Sequence, residues 1–246
     1  PMNPRYATVN PAANAGLVEG MKGLFNPTGT ISRQFKNGMM GEGILGLDEI
    51  NMSQSIVQHT TGTTPTLPIV ATTVAAQGAT TLAISFSNGS PTFKIGDIFT
   101  IGSVFAVNPQ TRQTTGSLQQ FVVTADVNVS STTTATLTVQ PPIYTATNAL
   151  ATVDSFPAAN AVLTFLGGSA TAYPQNLIYH KDAITFATAD LLLPQGVDMA
   201  SRQVHNGISL RIVRQYDINN DRMPCRVDVL YGFAAIRPVT AVRLWG

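Results

Sequence analysis

The feature that most restricts the fold of this chain is the scarcity of charge in its middle. Of the 246 residues, the 105 from 62 to 166 carry five charged side chains, whereas residues 202–246 carry ten. The middle also contains 22 threonines and short runs of β-branched and aromatic residues between turn sequences. This alternation of strand-like runs and turns is typical of an all-β domain.

Five strand-like runs mark the middle segment. They are TTLAISFS from Thr80, DIFTIGSVFAV from Asp97, LQQFVVTADV from Leu118, TATLTV from Thr134 and AVLTF from Ala161. No run has a helical period, and turn sequences separate the runs, so the pattern predicts a small closed barrel or a sandwich. The low charge has two interpretations. Threonine and serine cover a solvated sheet, or much of the surface meets other protein, where charge is depleted.

The first segment, residues 1–61, predicts one helix followed by irregular structure. Asn10 suits the N-cap of this helix, and Pro11 suits its first position. An apolar stripe follows, made of Leu17, Val18, Met21, Leu24 and Phe25. GEGILG at 41–46 spells a dinucleotide motif, yet it lacks the preceding buried strand and the acidic residue about 20 positions later. We interpret it as a glycine-rich loop.

The sequence contains no pattern that predicts catalytic residues, a metal site or a cofactor. His59, His180 and His205 are scattered and have no Cys, His or carboxylate at ligand spacing. His180, beside Asp182, is interpreted as a hydrogen-bonded surface group, and the single Cys225 as a small buried residue.

The net charge of +1 argues against a surface that coats nucleic acid, and no apolar run reaches the about 20 residues of a membrane span. We therefore expect neither an enzyme nor a membrane protein.

The charged C-terminal segment predicts a β-hairpin. Its first strand alternates between Ile208, Leu210 and Ile212 on one face and Ser209, Arg211 and Val213 on the other. Asn219-Asn220-Asp221 supplies turn chemistry, and CRVDVLYG from Cys225 forms the returning strand. If the strands pair, Arg211 or Arg214 opposes Asp228. By itself this pattern is more typical of a solvated hairpin face.

Four stretches carry a resemblance to a known protein family. They are GTISRQFKNGMMGEGILGLDEI at 29–50, KIGDIFTIGSVFAVNPQTRQTTGSLQQFVV at 94–123, YPQNLIYHKDAITFATADLLLP at 173–194 and RIVRQYDINNDRMPCRVDVLYGFAAIRPVTAVRLWG at 211–246. They resemble the major capsid proteins of tailed bacteriophages, in the short-tailed subgroup that has a β-barrel inserted into the capsid fold. The order of the stretches agrees with the order in that family, and the likeness is most specific toward the C-terminus.

The resemblance implies an α+β fold, in which residues 1–61 and 167–246 form parts of the capsid core and residues 62–166 form an inserted all-β barrel. It implies a structural protein without cofactors that assembles with itself into the hexamers and pentamers of an icosahedral shell. The implied location is the virion, after assembly in the host cytoplasm. In this family an N-terminal arm, an extended loop and a long spine helix precede the region seen here, which agrees with a chain that opens on PMNPRY as a domain interior would.

The implied partners are a scaffolding protein, a portal, optionally a decoration protein, and packaged DNA in non-specific contact. For the charged hairpin the resemblance suggests a role in registration between or within subunits. The candidate residues are Arg211, Arg214, Asp217, Asp221, Arg222 and Asp228. Two alternatives stay open at this point. One is a phage decoration or tail protein, and the other is a secreted β-rich adhesin, suggested by the threonine content and the glycosylation-like Asn128-Val-Ser sequence.

Overall fold

The computed structural model describes residues 4–21, 42–44, 46–87, 89–130 and 133–245. The chain separates into two compact units, one made of Pro1–Ile56 and Asn176–Gly246 and the other of Val57–Gln175. The described residues are mostly β-strand, with a single α-helix and one 3-10 turn. Leu24 and Phe25 of the expected helix stripe lie outside the described residues, as do Gly41 and Leu45 of the glycine-rich loop.

The first unit combines one helix with two sheets. Its elements are β1 (Arg5–Val9), α1 (Pro11–Met21), β2 (Glu42–Ile44), β3 (Leu47–Met52), the end of β13 (Ala172–His180), β14 (Ile184–Ala189), β15 (Met199–His205), β16 (Ile208–Arg214), β17 (Cys225–Ala235), η1 (Pro238–Thr240) and β18 (Ala241–Trp245). One sheet has the order β18-β13-β1-β3-β2, and the other has the order β14-β17-β16-β15. The strand β1 runs antiparallel to β13 and parallel to β3.

The helix α1 begins as the sequence predicts. The Asn10 Oδ1 accepts a hydrogen bond from the Ala13 N–H at 2.8 Å, so Asn10 is the N-cap. Ala13 and Leu17 pack against the small buried cluster formed by Ala7, Val9, Leu47 and Ile50. Val18 is 41% exposed, so the predicted stripe is wrong at this position. The helix contacts the sheet through the i, i+4 row of Ala13 and Leu17, which leaves Val18 on the solvent side.

The second unit consists of strands and turns in its described part. Its elements are β4 (Gln58–Thr60), β5 (Ile69–Val70), β6 (Ala79–Ser85), β7 (Thr92–Phe93), β8 (Ile98–Val107), β9 (Thr114–Val123), β10 (Val127–Asn128), β11 (Thr134–Ile143), β12 (Leu163–Phe165) and the start of β13. All five strand-like runs predicted from the sequence contain a strand, so these predictions are confirmed.

The main sheet of this unit closes into a barrel. Its strand order is β12-β8-β9-β11-β6-β5. The two end strands meet through a bridge between Ile69 and Val162, and the Leu163 N–H donates to the Pro68 carbonyl at 2.9 Å. Val70 both donates to Ala161 and accepts from Asn160 at 2.9 Å. The structure therefore has the closed barrel rather than the sandwich. In a closed barrel the two end strands pair with each other, so neither has a fully free edge.

The barrel interior follows from strand alternation. In β11, Leu137 and Val139 are fully buried while the alternating Thr136 and Thr138 are not, because successive side chains point to opposite faces. Three aromatic rings fill the centre: the Phe99 ring lies 5.8 Å from the Phe121 ring and 5.3 Å from the Phe165 ring, centroid to centroid. Among the described residues, no helix has the length and apolar character required to span a membrane.

Candidate functional site

The candidate charges lie on the four-stranded sheet of the first unit and on the turn that joins two of its strands. The strand register places Arg202 opposite Arg211 and Arg211 opposite Asp228, so the three side chains form a row across β15, β16 and β17. Alternation then divides the sheet into two faces. One face holds this row and is called the charged face. The opposite face holds Leu210 and Val229 and is called the apolar face.

On the charged face, each arginine of the row lies close to a carboxylate. Arg211 Nη2 lies 2.5 Å from Asp228 Oδ2, and Arg226 Nε lies 2.8 Å from Asp228 Oδ1. Arg202 Nη2 lies 3.5 Å from Asp190 Oδ2. Directly opposed like charges destabilise a sheet. The carboxylates of Asp190 and Asp228, next to Arg202 and Arg211, offset that repulsion. The predicted opposition of Arg211 and Asp228 across two strands is confirmed.

The same two arginines hold a loop against the charged face. This loop, residues 190–198, connects β14 to β15 and is called the leucine loop because it contains the sequence DLLLPQGVD. Arg202 Nη1 donates to the Leu191 carbonyl at 3.3 Å, and Arg211 Nη1 donates to the Leu192 carbonyl at 2.5 Å. The guanidinium groups therefore fix the loop backbone, and the side chains of Leu192 and Leu193 are exposed.

The prediction that Arg214 is an alternative partner of Asp228 is wrong. The register places Arg214 opposite Cys225, three positions from Asp228 and on the other face of the sheet. Arg214 Nη2 instead lies 2.9 Å from Asp198 Oδ2, and both side chains are more than two-fifths exposed. An exposed pair of this kind contributes little to folding stability.

The environment of Asp228 favours its ionised form. The hydrogen bond from Arg211, and then that from Arg226, hold the pKa of Asp228 below its ordinary value. A carboxylate with a depressed pKa stabilises the fold above its unfolded pKa of about 3.9. This contribution is lost as the pH falls through the folded pKa.

We expect the substitution Arg211→Gln to raise the pKa of Asp228 toward its ordinary value, and Arg226→Gln to raise it less. The reason is that Arg211 is the largest cause of the depression and is the less exposed of the two arginines. A carboxyl carbon-13 NMR titration of Asp228 in the two variants measures this difference. An equal or larger rise in Arg226→Gln would contradict the assignment of Arg211 as the main partner.

The turn at residues 217–222 satisfies most of its charges locally. Asp217 and Arg222 form an antiparallel bridge, and Asp217 accepts hydrogen bonds from the Asn219 N–H at 3.1 Å and the Asn220 side chain at 2.7 Å. These bonds, with that from Asn220 the larger cause, lower the pKa of Asp217. The turn is therefore held by its own side chains.

The neighbouring aromatic residue completes the turn. Tyr216 Oη donates to Asp221 Oδ1 at 2.8 Å, and this hydrogen bond raises the pKa of Tyr216. Asp221 has a φ of +47°, a left-handed conformation that Asp tolerates better than most residues. Within the described ranges, no ion pair involves Arg222, so its charge faces solvent at the tip.

The apolar face is the part of the sheet that sequence reasoning did not single out as a surface. Its large hydrophobic side chains are all about two-fifths exposed or more, and they are Ile184, Phe186, Met199, Ile208, Leu210, Ile212, Val227, Val229, Tyr231 and Phe233. The register also places the polar Ser201, Gln203 and His205 of β15 on this face. Cys225 lies at the end of the same face and is exposed, so its interpretation as a buried residue is wrong. The alternation was visible in the sequence, but alternation cannot tell whether a second layer covers the face.

A buried polar centre in the second unit was also missed. Asp97 is 4% exposed and accepts hydrogen bonds from the Gly62 N–H at 3.1 Å, the Lys94 N–H at 2.8 Å and His59 Nε2 at 2.8 Å. The bonds from Gly62 and His59 connect segments 35 and 38 positions apart, so no local spacing signals them. The short Lys94-Ile-Gly-Asp97 turn was the only available hint.

The surroundings of His180 differ from the interpretation made from the sequence. His180 is 5% exposed, so its placement on the surface is wrong, although its Nδ1 does accept a hydrogen bond from the Asp182 N–H at 3.2 Å. Burial follows from its position at the end of β13, opposite Arg5 of β1. In the part of the chain that the structure describes, no three His, Cys, Asp or Glu side chains are grouped closely enough to hold a metal ion.

Comparison with known proteins identifies the family. The family model described as P22 coat protein, gene protein 5, matches residues 2–246. Among solved structures, the CUS-3 coat protein I-domain matches with 29% sequence identity, covering 42% of this chain and 97% of its own, at a TM-score of 0.31. None of the curated proteins gives a significant match. Because the family match extends over nearly the whole chain, this protein belongs to the P22 coat protein family and is a structural protein of a phage capsid.

Proposed function

We propose that this capsid protein forms the hexamers and pentamers of an icosahedral shell that encloses the phage genome. The observation that carries the proposal is the family match over residues 2–246, because that family implies self-assembly into the capsid shell. Within the virion the protein acts through geometry rather than catalysis: one fold meets slightly different neighbours in the two kinds of ring. The family match does not favour the adhesin or the decoration and tail interpretations.

The domain organisation belongs to the same proposal. We assign residues 1–61 and 167–246 to the capsid core and residues 62–166 to the inserted barrel, in an α+β fold. The closed barrel inside the compact unit Val57–Gln175 supports the inserted domain. The α1 helix packed on a sheet supports the mixed character of the core.

The candidate charges are assigned to registration in two groups. Arg211 and Asp228 act within the subunit, because they pair across two strands of one sheet and Arg211 also bonds the leucine loop. Asp217, Asp221 and Arg222 lie on an exposed turn and act between subunits. Rim charges of this kind fix partner choice and register more than they add affinity.

We expect the double variant Asp221→Arg/Arg222→Asp to disturb shell assembly while the subunit remains folded. The exchange keeps the net charge constant but inverts its direction across the turn, so a complementary neighbour is repelled. Sedimentation velocity measures assembly, and circular dichroism measures folding. The control is Lys94→Asp/Asp126→Lys, which exchanges the charges of an exposed ion pair in the other unit. Normal shells from the Asp221/Arg222 exchange would overturn the intersubunit role of the turn.

The remaining partners are proposed on the same basis. They are a scaffolding protein, a portal, optionally a decoration protein and packaged DNA, with assembly in the host cytoplasm. Co-expression of the full-length gene product with its neighbouring genes, followed by sedimentation velocity and electron microscopy of the fast fraction, tests this set. Closed shells of uniform diameter support the shell function. A monodisperse monomer under every co-expression would contradict it.

A further inference from the structure

The turn between β15 and β16 is formed by an Asn-Gly pair. The register places His205 opposite Ile208, so Asn206 and Gly207 are the two residues between the strands. Their φ angles are +49° and +79°, both in the left-handed region. A two-residue hairpin turn with both residues in this region is a type I′ turn, for which Asn-Gly is a preferred sequence. The geometry of the hairpin therefore accounts for this pair at its tip.

The same pair is chemically reactive, because the backbone nitrogen of the glycine can attack the side-chain amide of the asparagine. A bond between Asn206 Cγ and the Gly207 nitrogen closes a small cyclic imide. A β-carbon on the second residue would crowd this ring, and glycine has none. The space at Gly207 is also open, since a β-carbon there would have no atom within 4 Å outside the two adjacent residues. Neither side chains nor backbone therefore obstruct ring closure from that side.

The Gly207 nitrogen is not held by the hairpin. The hydrogen bonds that close a two-residue turn join the flanking residues, here His205 and Ile208. Within the described part of the chain, no acceptor takes a hydrogen bond from the Gly207 N–H. The Gly207 carbonyl, by contrast, accepts a hydrogen bond from the Thr188 hydroxyl. Asn206 and Gly207 are both exposed, so hydroxide and water reach the atoms that react.

We propose that Asn206 is a site of spontaneous deamidation in the folded subunit. Hydroxide removes the proton of the Gly207 nitrogen, which then attacks Asn206 Cγ and forms a new C–N bond. The bond from Cγ to the side-chain nitrogen breaks, and this nitrogen leaves as ammonia with a proton from water, which restores the hydroxide. A second water opens the cyclic imide at either carbonyl and gives aspartate or isoaspartate. In sum, asparagine and water give a carboxylic acid and ammonia, without an oxidant or a reductant.

The two products affect the hairpin differently. Aspartate tolerates the left-handed conformation of position 206, so it keeps the turn and adds one negative charge beside His205. Isoaspartate adds a methylene group to the main chain, which a two-residue type I′ turn does not accommodate. The inference concerns the subunit itself and does not depend on the proposed shell function. In a capsid, whose subunits are not replaced after assembly, the converted fraction would increase with the age of the particle.

Asn160 provides a matched control within the same chain. It is exposed and its φ is +65°, but the next residue, Ala161, has a β-carbon and its N–H donates to the Ala158 carbonyl at 3.2 Å. The folded full-length subunit is kept at mildly alkaline pH, sampled over time and digested, and peptide mass spectrometry measures conversion at each asparagine. We expect Asn206 to convert at least about tenfold faster than Asn160, because the β-carbon and the hydrogen bond both oppose ring closure at Ala161. The rate at Asn206 is expected to rise with pH, since hydroxide removes the reacting proton.

The variant Ala161→Gly separates the effect of the open turn from that of the residue pair. It creates a second Asn-Gly pair at a left-handed asparagine whose following nitrogen remains hydrogen-bonded, so we expect Asn160 to stay slower than Asn206 in this variant. Equal rates at the two asparagines of Ala161→Gly would overturn the structural argument, because the sequence pair alone would then set the rate. Conversion of Asn206 only after the subunit is unfolded in urea would also overturn the inference, since the hairpin would then protect this residue.

Discussion

Replacing Gly62 with alanine is expected to destabilise the barrel unit by about 4 kcal/mol, an unusually large effect for a single methyl group. A β-carbon at position 62 would lie 1.8 Å from the Thr92 carbonyl oxygen and 2.7 Å from the Thr92 carbonyl carbon. Both are backbone atoms, so the clash is relieved only by moving a strand. The movement also breaks the hydrogen bond from the Gly62 N–H to the buried carboxylate of Asp97, and bonds to charged groups contribute about 1.5 to 3 kcal/mol.

The matched control for this variant is Gly102→Ala in β8 of the same barrel. A β-carbon there would lie 3.6 Å from the Val162 carbonyl oxygen, an ordinary contact distance. We expect a change within about 1 kcal/mol, since removing a glycine also restricts the unfolded chain. Amide hydrogen exchange of barrel residues in the full-length subunit measures both. Equal protection in the two variants would contradict the close approach at Gly62.

Truncation of Phe99 to alanine is expected to cost the barrel about 3 to 5 kcal/mol. Phe99 is fully buried, and its ring contacts those of Phe121 and Phe165. The loss combines the burial of the ring with the cavity that it leaves among rigid neighbours. Hydrogen exchange and urea unfolding of the full-length subunit measure this effect.

The control for the core variant is Leu118→Ala on β9, where the side chain is 38% exposed. We expect this change to cost about 1 kcal/mol or less, because little apolar area leaves water there on folding. Should Phe99→Ala and Leu118→Ala lose similar stability, the aromatic centre is not the main source of barrel cohesion.

Local structure could be predicted well from the sequence, whereas pairings between distant segments could not. Strand alternation around Leu137 and across Arg211 was readable because it depends on neighbouring positions. Closure of the barrel through Ile69 and Val162 was not readable, since nothing local distinguishes a barrel from a sandwich. The Asp97 hydrogen bonds were invisible for the same reason, because their donors His59 and Gly62 are distant in the chain.

The errors at the candidate site have specific physical causes. Arg214 was considered as a partner of Asp228 because both lie near the same turn, but the two-residue period of strands places them on opposite faces. Cys225 was expected to be buried because cysteine is among the most buried residue types. It lies at the end of the apolar face, whose described hydrophobic side chains are exposed. Burial of a side chain depends on which segments pack on its face of the sheet. The two-residue alternation of side chains in a strand does not indicate this.

The ladder between Gln58–Thr60 and Ala172–His180 has a consequence for how such a protein can evolve. His59 is paired with Tyr173, so the chain enters and leaves the barrel unit on adjacent antiparallel strands. For the rest of the chain, a module with neighbouring ends is equivalent to a long hairpin loop. The entropic cost of closing a loop rises only slowly with its length. Such a module can be lengthened or exchanged without a change in the chain path of the other unit.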